Sequence, residues 1–192
     1  DRALTASGNN NTQTRGVYDM TGRVGVCATG SSLTTLAFAL NTTSFTSINV
    51  SFNVGTQYSA GRINEIGLQF RVGTSGGFTN VASSTYQNTG TLNSGTSTTP
   101  INTQTISVTL PVSAENQSVV QLRWMIRDVS GPGNRTNFSI DDISITGTSS
   151  AKTSTASGNW SDPAIWSPSG VPTSADNAII ASGHVVVMDS GT

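Results

Sequence analysis

The sequence predicts an all-β protein: an antiparallel β-sandwich followed by a short β segment that opens a second module. Two observations carry this prediction. Many segments alternate apolar with polar residues, which is the pattern of a strand with one buried face. The composition is rich in Ser, Thr and Asn and poor in the Glu, Lys and Leu that helices need. With 192 residues, of which 34% are hydrophobic, the chain can bury one sizeable core.

The alternating segments account for most of the expected strands. Clear alternation predicts strands over 36–40, 48–54, 66–72, 106–110 and 120–126. A shorter, glycine-interrupted strand is predicted at 23–28, and short strands near 2–5, 17–20 and 78–82. The polar tract 87–100 lacks the alternation and predicts a long, flexible surface loop. With a closing strand described next, these make about nine or ten strands, which indicates two packed sheets.

The closing strand, residues 137–147, changes its apolar phase halfway along. Phe138 and Ile140 share one face of a regular strand, whereas Ile143 and Ile145 share the other. A flip of this kind requires an extra residue, so the sequence predicts a β-bulge at Asp141 and Asp142.

The start of the chain lacks an obvious strand to pair beside the closing one. Residues 1–4 are followed at once by the turn-like segment 7–11. We therefore expect that this strand lies upstream, has been cleaved, or is supplied by another segment or chain.

Charge and cysteine content exclude several classes of function. The net charge is −1 and the nine Lys and Arg residues are scattered, which argues against nucleic acid or an anionic membrane as a partner. Cys27 is the only cysteine, so no intrachain disulfide forms. No apolar stretch reaches the ~18 residues of a membrane span, so no membrane insertion is expected. The composition is typical of secreted β modules, and we expect an extracellular or cell-surface location.

Residues 123–128, the turn 131–135 and residues 138–143 together resemble the end of a jelly-roll module found in large secreted proteins of Bacteroidota. Such modules are similar to carbohydrate-binding modules. The resemblance implies a jelly-roll sandwich over 1–147 and export by a type IX system. It also implies a structural calcium site, with Asp141 or Asp142 as one ligand and the first strand supplying others. The alternative is that these carboxylates cap the bulge by accepting backbone N–H bonds.

Residues 159–166, 171–177 and 179–187 resemble the opening of a right-handed β-helix module. We expect a linker at 148–158 and an incomplete second module at 159–192. A solenoid coil cannot bury its apolar face alone, so the chain is expected to be part of a longer polypeptide.

Catalytic residues are not expected. Glu65 and Glu115 are the only glutamates, and His184 is the only histidine and stands in the second module. Glycosidase chemistry needs two carboxylates facing each other across a cleft, and Asp141 and Asp142 are neighbours on one strand.

Sugar binding by a sandwich uses exposed aromatic rings with polar partners nearby. Tyr58 and Tyr86, with Arg62 as a polar partner, are candidate glycan contacts. The leading functional hypothesis is a non-catalytic structural or adhesive module of a large secreted or cell-surface bacterial protein, whose partner is another surface protein or a polysaccharide. The alternatives are a carbohydrate-binding module and an accessory domain of a secreted hydrolase or nuclease.

Overall fold

The computed structural model describes residues 16–20, 22–28, 35–93, 99–173 and 176–189. The strand predicted near 2–5 lies outside these residues. The sandwich strands are β1 (Gly16–Asp19), β2 (Val24–Cys27), β3 (Thr35–Leu40), β4 (Phe45–Tyr58), β5 (Ile63–Val72), β6 (Thr79–Asn80), β7 (Tyr86–Gln87), β8 (Ile101–Thr109), β9 (Val120–Ser130) and β10 (Asn137–Ser149). No helix within these ranges is long and apolar enough to cross a membrane.

Two antiparallel sheets form the sandwich, which confirms the predicted all-β jelly-roll architecture. Sheet I has the order β1-β2-β10-β4-β8. Sheet II has the order β3-β9-β5-β6, and β7 also pairs with β5. Neighbours in each sheet are mostly distant in sequence, so the sheets are held together by long-range pairing.

The core lies between the inner faces of the two sheets, as the alternation predicts. The centre is Trp124 on β9, which is 0% exposed. Its ring packs edge-on against Phe52 of sheet I at 5.2 Å and in a tilted arrangement against Phe38 at 5.7 Å between centroids. Because the inward residues are apolar and the outward residues are polar, burial of this face fixes the register of each strand.

The predicted bulge in β10 is confirmed. The register against β4 shifts between Asp141 and Ser144. Asp142 takes a left-handed conformation, with φ at 49°. The extra residue realigns the two strands, because Ile140 opposes Val54 and Ile145 opposes Val50. Ile140 is buried, whereas Ile143 and Ile145 are exposed.

Strand β10 has different neighbours along its two halves. Residues 137–140 lie between β2 and β4, so β2 is the strand beside the beginning of β10. Beyond the bulge, residues 144–149 pair with β4 alone among the described strands. The expectation that a strand from outside these residues pairs beside β10 concerns the whole strand. Residues 137–140 have β2 in that position, and for residues 144–149 the expectation stays a prediction.

The tract predicted as a flexible loop is partly anchored where it is described. Asn88 is buried, and its side chain accepts from the backbone N–H of Asn64 at 2.7 Å. Asn93 forms a β-bridge with Ser59. One anchor is an amide side chain and the other a backbone bridge, and neither leaves a trace in the apolar pattern.

The segment 148–158, expected as a linker, contains regular structure. The strands that follow β10 are β11 (Lys152–Ser154), β12 (Gly158–Asn159), β13 (Trp166–Ser167), β14 (Ala178–Ile179) and β15 (Val186–Val187). Of the two short 3-10 helices, η1 (Val112–Ala114) lies between β8 and β9, and η2 (Pro163–Ile165) precedes β13. β11 pairs with β13 and β14, so residues 152–154 belong to the strands of the C-terminal segment. The domain boundary expected within 148–158 stays a prediction.

Two of the C-terminal pairings are parallel. β11 pairs with β14 and β12 pairs with β15, each in the same direction. Residues 178–187 therefore run alongside residues 152–159 in the same direction. Trp160 and Trp166 lie in the connection between these two stretches, and their rings pack edge-on with 5.1 Å between centroids. Ile165 and Trp166 are buried, whereas Val185, Val187 and several other apolar residues of the second pass are exposed.

Candidate functional site

A polar cleft opens on the outer face of sheet I, at the bulge of β10. Its volume is about 280 Å³. We call it the bulge cleft; its lining residues are Arg23, Asn53, Thr103, Gln104, Thr105, Asp141 and Asp142. Arg23 immediately precedes β2, and the other lining residues come from β4, β8 and β10, which are neighbours in sheet I.

The lining side chains form a connected network of hydrogen bonds. Arg23 Nε lies 3.3 Å from Asp141 Oδ2. Asn53 Nδ2 donates to Asp142 Oδ2 at 2.7 Å, and Thr105 Oγ1 donates to Asn53 Oδ1 at 2.6 Å. The network links three strands across the sheet, so the polar groups are held in place before any ligand arrives.

Both carboxylates line the same cleft, which differs from the sequence-based expectation. Adjacent residues of a regular strand point to opposite faces, and so only one of the two aspartates was expected to act at a single site. The left-handed conformation of Asp142 at the bulge removes that alternation. Asp141 Oδ1 also accepts from the backbone N–H of Asp142 at 3.0 Å, the kind of bond expected of a carboxylate that caps a bulge.

The donor set of the bulge cleft does not fit calcium. Calcium needs six to eight oxygen ligands. Here the guanidinium of Arg23 already neutralises Asp141, and the amide N–H of Asn53 occupies an oxygen of Asp142. Within the described ranges, no group of three or more Asp, Glu, His or Cys side chains could hold a metal ion. The ligands expected from the first strand fall outside those ranges.

The candidate glycan contacts Tyr58 and Tyr86 are buried, each 4% exposed. The ring of Tyr86 packs edge-on against Phe138 at 5.8 Å. Its hydroxyl accepts from Thr56 Oγ1 and donates to the carbonyl of Asn102, and burial raises the pKa of Tyr86 above its ordinary value. The expectation that these rings are exposed for stacking is therefore wrong, because both complete the core.

Arg62, the expected polar partner, is engaged elsewhere. It lies in the connection between β4 and β5, and its Nη1 is 3.2 Å from Oδ2 of Asp128 on β9. The structure does not bring Arg62 into the bulge cleft.

The groups considered for catalysis each have a structural partner. Glu65 pairs with Arg127 on sheet II, and Glu115 Oε1 accepts from the backbone N–H of Ser47 at 2.7 Å. His184 Nδ1 lies 2.9 Å from Ser154 Oγ in the C-terminal segment. These contacts place the three groups in different parts of the molecule.

The sequence indicated Asp141 and Asp142 but missed the groups that surround them. Arg23 precedes β2 and Asn53 lies on β4, and only the pairing of β2, β10 and β4 brings them to the bulge. Chemically, the cleft offers carboxylate and carbonyl acceptors beside amide, hydroxyl and guanidinium donors, a set that can bind hydroxyl groups in both directions.

Known proteins give limited comparisons. No protein-family model matches the chain, and no curated protein matches it. Among solved structures, "CBM4 structure and function" is 16% identical, with a TM-score of 0.39, over 73% of this chain and 81% of that one. A mutant of Xylanase10C from Cellvibrio japonicus in complex with xylopentaose is 15% identical, with a TM-score of 0.40, over 81% of this chain and 28% of the xylanase. "Family 16 Carbohydrate Binding Module-2" is 15% identical, with a TM-score of 0.32, over 65% of this chain and 75% of that one. Likenesses of this size leave the ligand of the chain open.

Proposed function

We propose that this chain is a non-catalytic module of a secreted or cell-surface protein and that it binds a polysaccharide in the bulge cleft. The observation that carries the proposal is the hydrogen-bonded network of Arg23, Asn53, Asp141 and Asp142 on a rigid sheet face. This choice favours the carbohydrate-binding alternative over a purely structural spacer, because a spacer needs no organised polar cleft.

The chemistry of the cleft matches a ligand rich in hydroxyl groups. A sugar hydroxyl both donates and accepts a hydrogen bond, and the cleft presents both kinds of group within one opening. Asn53 is half-buried, and its amide is oriented by bonds on both of its polar atoms. Such pre-organisation lowers the entropic cost of binding, because the side chain is already ordered.

The wider context belongs to the same proposal. An extracellular or cell-surface location, export by a type IX system in Bacteroidota, and a β-helix module after the sandwich are all proposals that rest on the sequence resemblance. The two parallel pairings of the C-terminal strands support a solenoid-like course for that segment. A hydrolase or nuclease domain elsewhere in the same polypeptide is compatible with a binding role for this module.

The test is affinity electrophoresis of the chain in gels that contain hydroxyethylcellulose, xylan or galactomannan, with Asn53→Ala as the variant. Asn49→Ala is the matched control. Asn49 lies on the same strand and the same outer face, and it accepts a comparable bond from Ser107 of β8 at 3.1 Å, but it does not line the cleft. Circular dichroism checks that both variants fold.

We expect at least one of the three polysaccharides to retard the wild-type chain. Loss of one or two ligand hydrogen bonds, at about 1 kcal/mol each, should weaken binding roughly 5- to 30-fold in Asn53→Ala. Asn49→Ala should bind like the wild type. If no polysaccharide retards the chain, or if the two variants behave alike, the proposal is wrong.

A further inference from the structure

Two arginines on the outer face of sheet II share one aromatic ring. Arg71 of β5 and Arg123 of β9 are diagonal neighbours, because Arg71 opposes Gln121 and Gln69 opposes Arg123. The guanidinium carbon of Arg71 lies 4.5 Å from the centroid of Phe78, and that of Arg123 lies 4.0 Å from it. Both cations are therefore held at a single place on the surface.

Among the arginines that the structure describes, these two differ from the others in lacking an acidic partner. Arg71 and Arg123 form no ion pair with a carboxylate in the described part of the chain. All the other arginines described there do form one, namely Arg23, Arg62, Arg127 and Arg135. Partial burial lowers the pKa of Arg123, and the neighbouring positive charge of Arg71 lowers it further. Two adjacent cations without a counterion favour an anion from outside.

Amide side chains orient both guanidinium groups. Arg71 Nε donates to Gln121 Oε1 at 2.7 Å, and Arg123 Nε donates to Gln69 Oε1 at 2.7 Å. Gln69 is held in turn by Asn80 at 2.7 Å. Apart from a bond from Arg71 Nη1 to the carbonyl of Gly76, the terminal N–H groups of both arginines have no partner among the described residues.

We propose that Arg71, Arg123 and Phe78 form a second binding site, for the carboxylate groups of an acidic polysaccharide. A guanidinium offers two parallel N–H groups that match the two oxygens of a carboxylate. The surrounding amides of Gln69 and Gln121 suit the hydroxyl groups of the same sugar. A nucleic acid fits less well, because a net charge of −1 and two unpaired guanidiniums provide little attraction for a run of phosphates.

The test is affinity electrophoresis in gels that contain polygalacturonate, with Arg123→Gln and Arg71→Gln as the variants. Arg127→Gln is the matched control, since it removes the same charge from the same face of the same strand but from an arginine paired with Glu65. Neutral dextran and dextran sulfate are run beside polygalacturonate, and circular dichroism checks folding.

We expect polygalacturonate, but not dextran, to retard the wild-type chain, and added salt to weaken this binding. Arg123→Gln and Arg71→Gln should each weaken it at least 10-fold, and Arg127→Gln should stay within twofold of the wild type. Asn53→Ala should leave it unchanged, so this site and the bulge cleft succeed or fail separately. Absence of retardation, an equal loss in Arg127→Gln, or retention by dextran sulfate alone would overturn the carboxylate site.

Discussion

Replacement of Asn64 by alanine should destabilise the sandwich, because one buried amide joins three parts of the chain. Asn64 lies on β5 and is 0% exposed. Its Oδ1 accepts from the backbone N–H of Thr136 at 2.9 Å, just before β10 begins. Its Nδ2 donates to Asp128 Oδ1 and to the carbonyl of Arg127 on β9. Alanine at this position removes all of these bonds.

The size of the effect follows from the groups that lose their partner. Thr136 is 0% exposed, so its backbone N–H would be left buried without an acceptor, at a cost of about 1 to 3 kcal/mol. The bonds from Nδ2 contribute about 1 kcal/mol together, since Asp128 is exposed and keeps its contacts with Arg62 and Arg135. We expect Asn64→Ala to lower the free energy of unfolding by about 2 to 4 kcal/mol.

The assay is urea unfolding followed by circular dichroism and by fluorescence, and the two transitions must coincide for a two-state analysis. At an m-value of about 2 kcal/mol per molar urea, the midpoint should fall by roughly 1 to 2 M. Asn49→Ala, which removes a half-buried amide on sheet I, should change stability by about 0.5 kcal/mol or less. Equal stabilities of the two variants would refute the reasoning that Asn64 supplies an irreplaceable acceptor.

Three further predictions concern the thiol of Cys27 and the calcium ion that the sequence resemblance implies. Burial raises the pKa of Cys27 from its ordinary 9.0 to about 12, so a disulfide reagent at pH 8 should label the native chain far more slowly than the urea-unfolded chain. Because the unfolded thiol ionises above pH 9 while the buried thiol stays protonated, the contribution of Cys27 to the free energy of unfolding is complete below pH 9 and is lost as the pH rises towards 12. The melting temperature of the wild type should therefore fall more steeply over that window than that of Cys27→Ala, in which buried Tyr86 still titrates; parallel profiles would contradict this. Removal of divalent cations with EDTA should leave the melting temperature unchanged, because Arg23 and Asn53 already engage the carboxylates of the bulge; a fall of several degrees that calcium reverses would show that the ion binds.

Strands with one buried face were predictable because their period leaves a direct trace in the sequence. The alternation at 66–72 lies within β5, which begins at Ile63, and the alternation at 120–126 lies within β9. The bulge was predictable for the same reason, since an extra residue shifts the phase of Ile143 and Ile145 against Phe138 and Ile140. Trp124 was expected in the core from its phase, and it is 0% exposed.

The surroundings of the site were not predictable, because they depend on contacts between distant strands. Nothing near Arg23 in the sequence indicates that it meets Asp141, and their contact exists only because β2 pairs with β10. The burial of Tyr86 leaves no trace in the sequence, because β7 has only two residues and shows no alternation. Its burial results from a pocket between Thr56, Asn102 and Phe138, which the fold assembles from three separate segments.

The short connection between β10 and the C-terminal strands has a mechanical consequence. β10 ends at Ser149 and β11 begins at Lys152, so tension on the C-terminal segment enters the sandwich along the axis of β10. The backbone hydrogen bonds of antiparallel strands are perpendicular to that axis. A lengthwise pull therefore loads the bonds between β10 and β4 together rather than one after another. The pairing of β10 with β4 is thus arranged to resist shear.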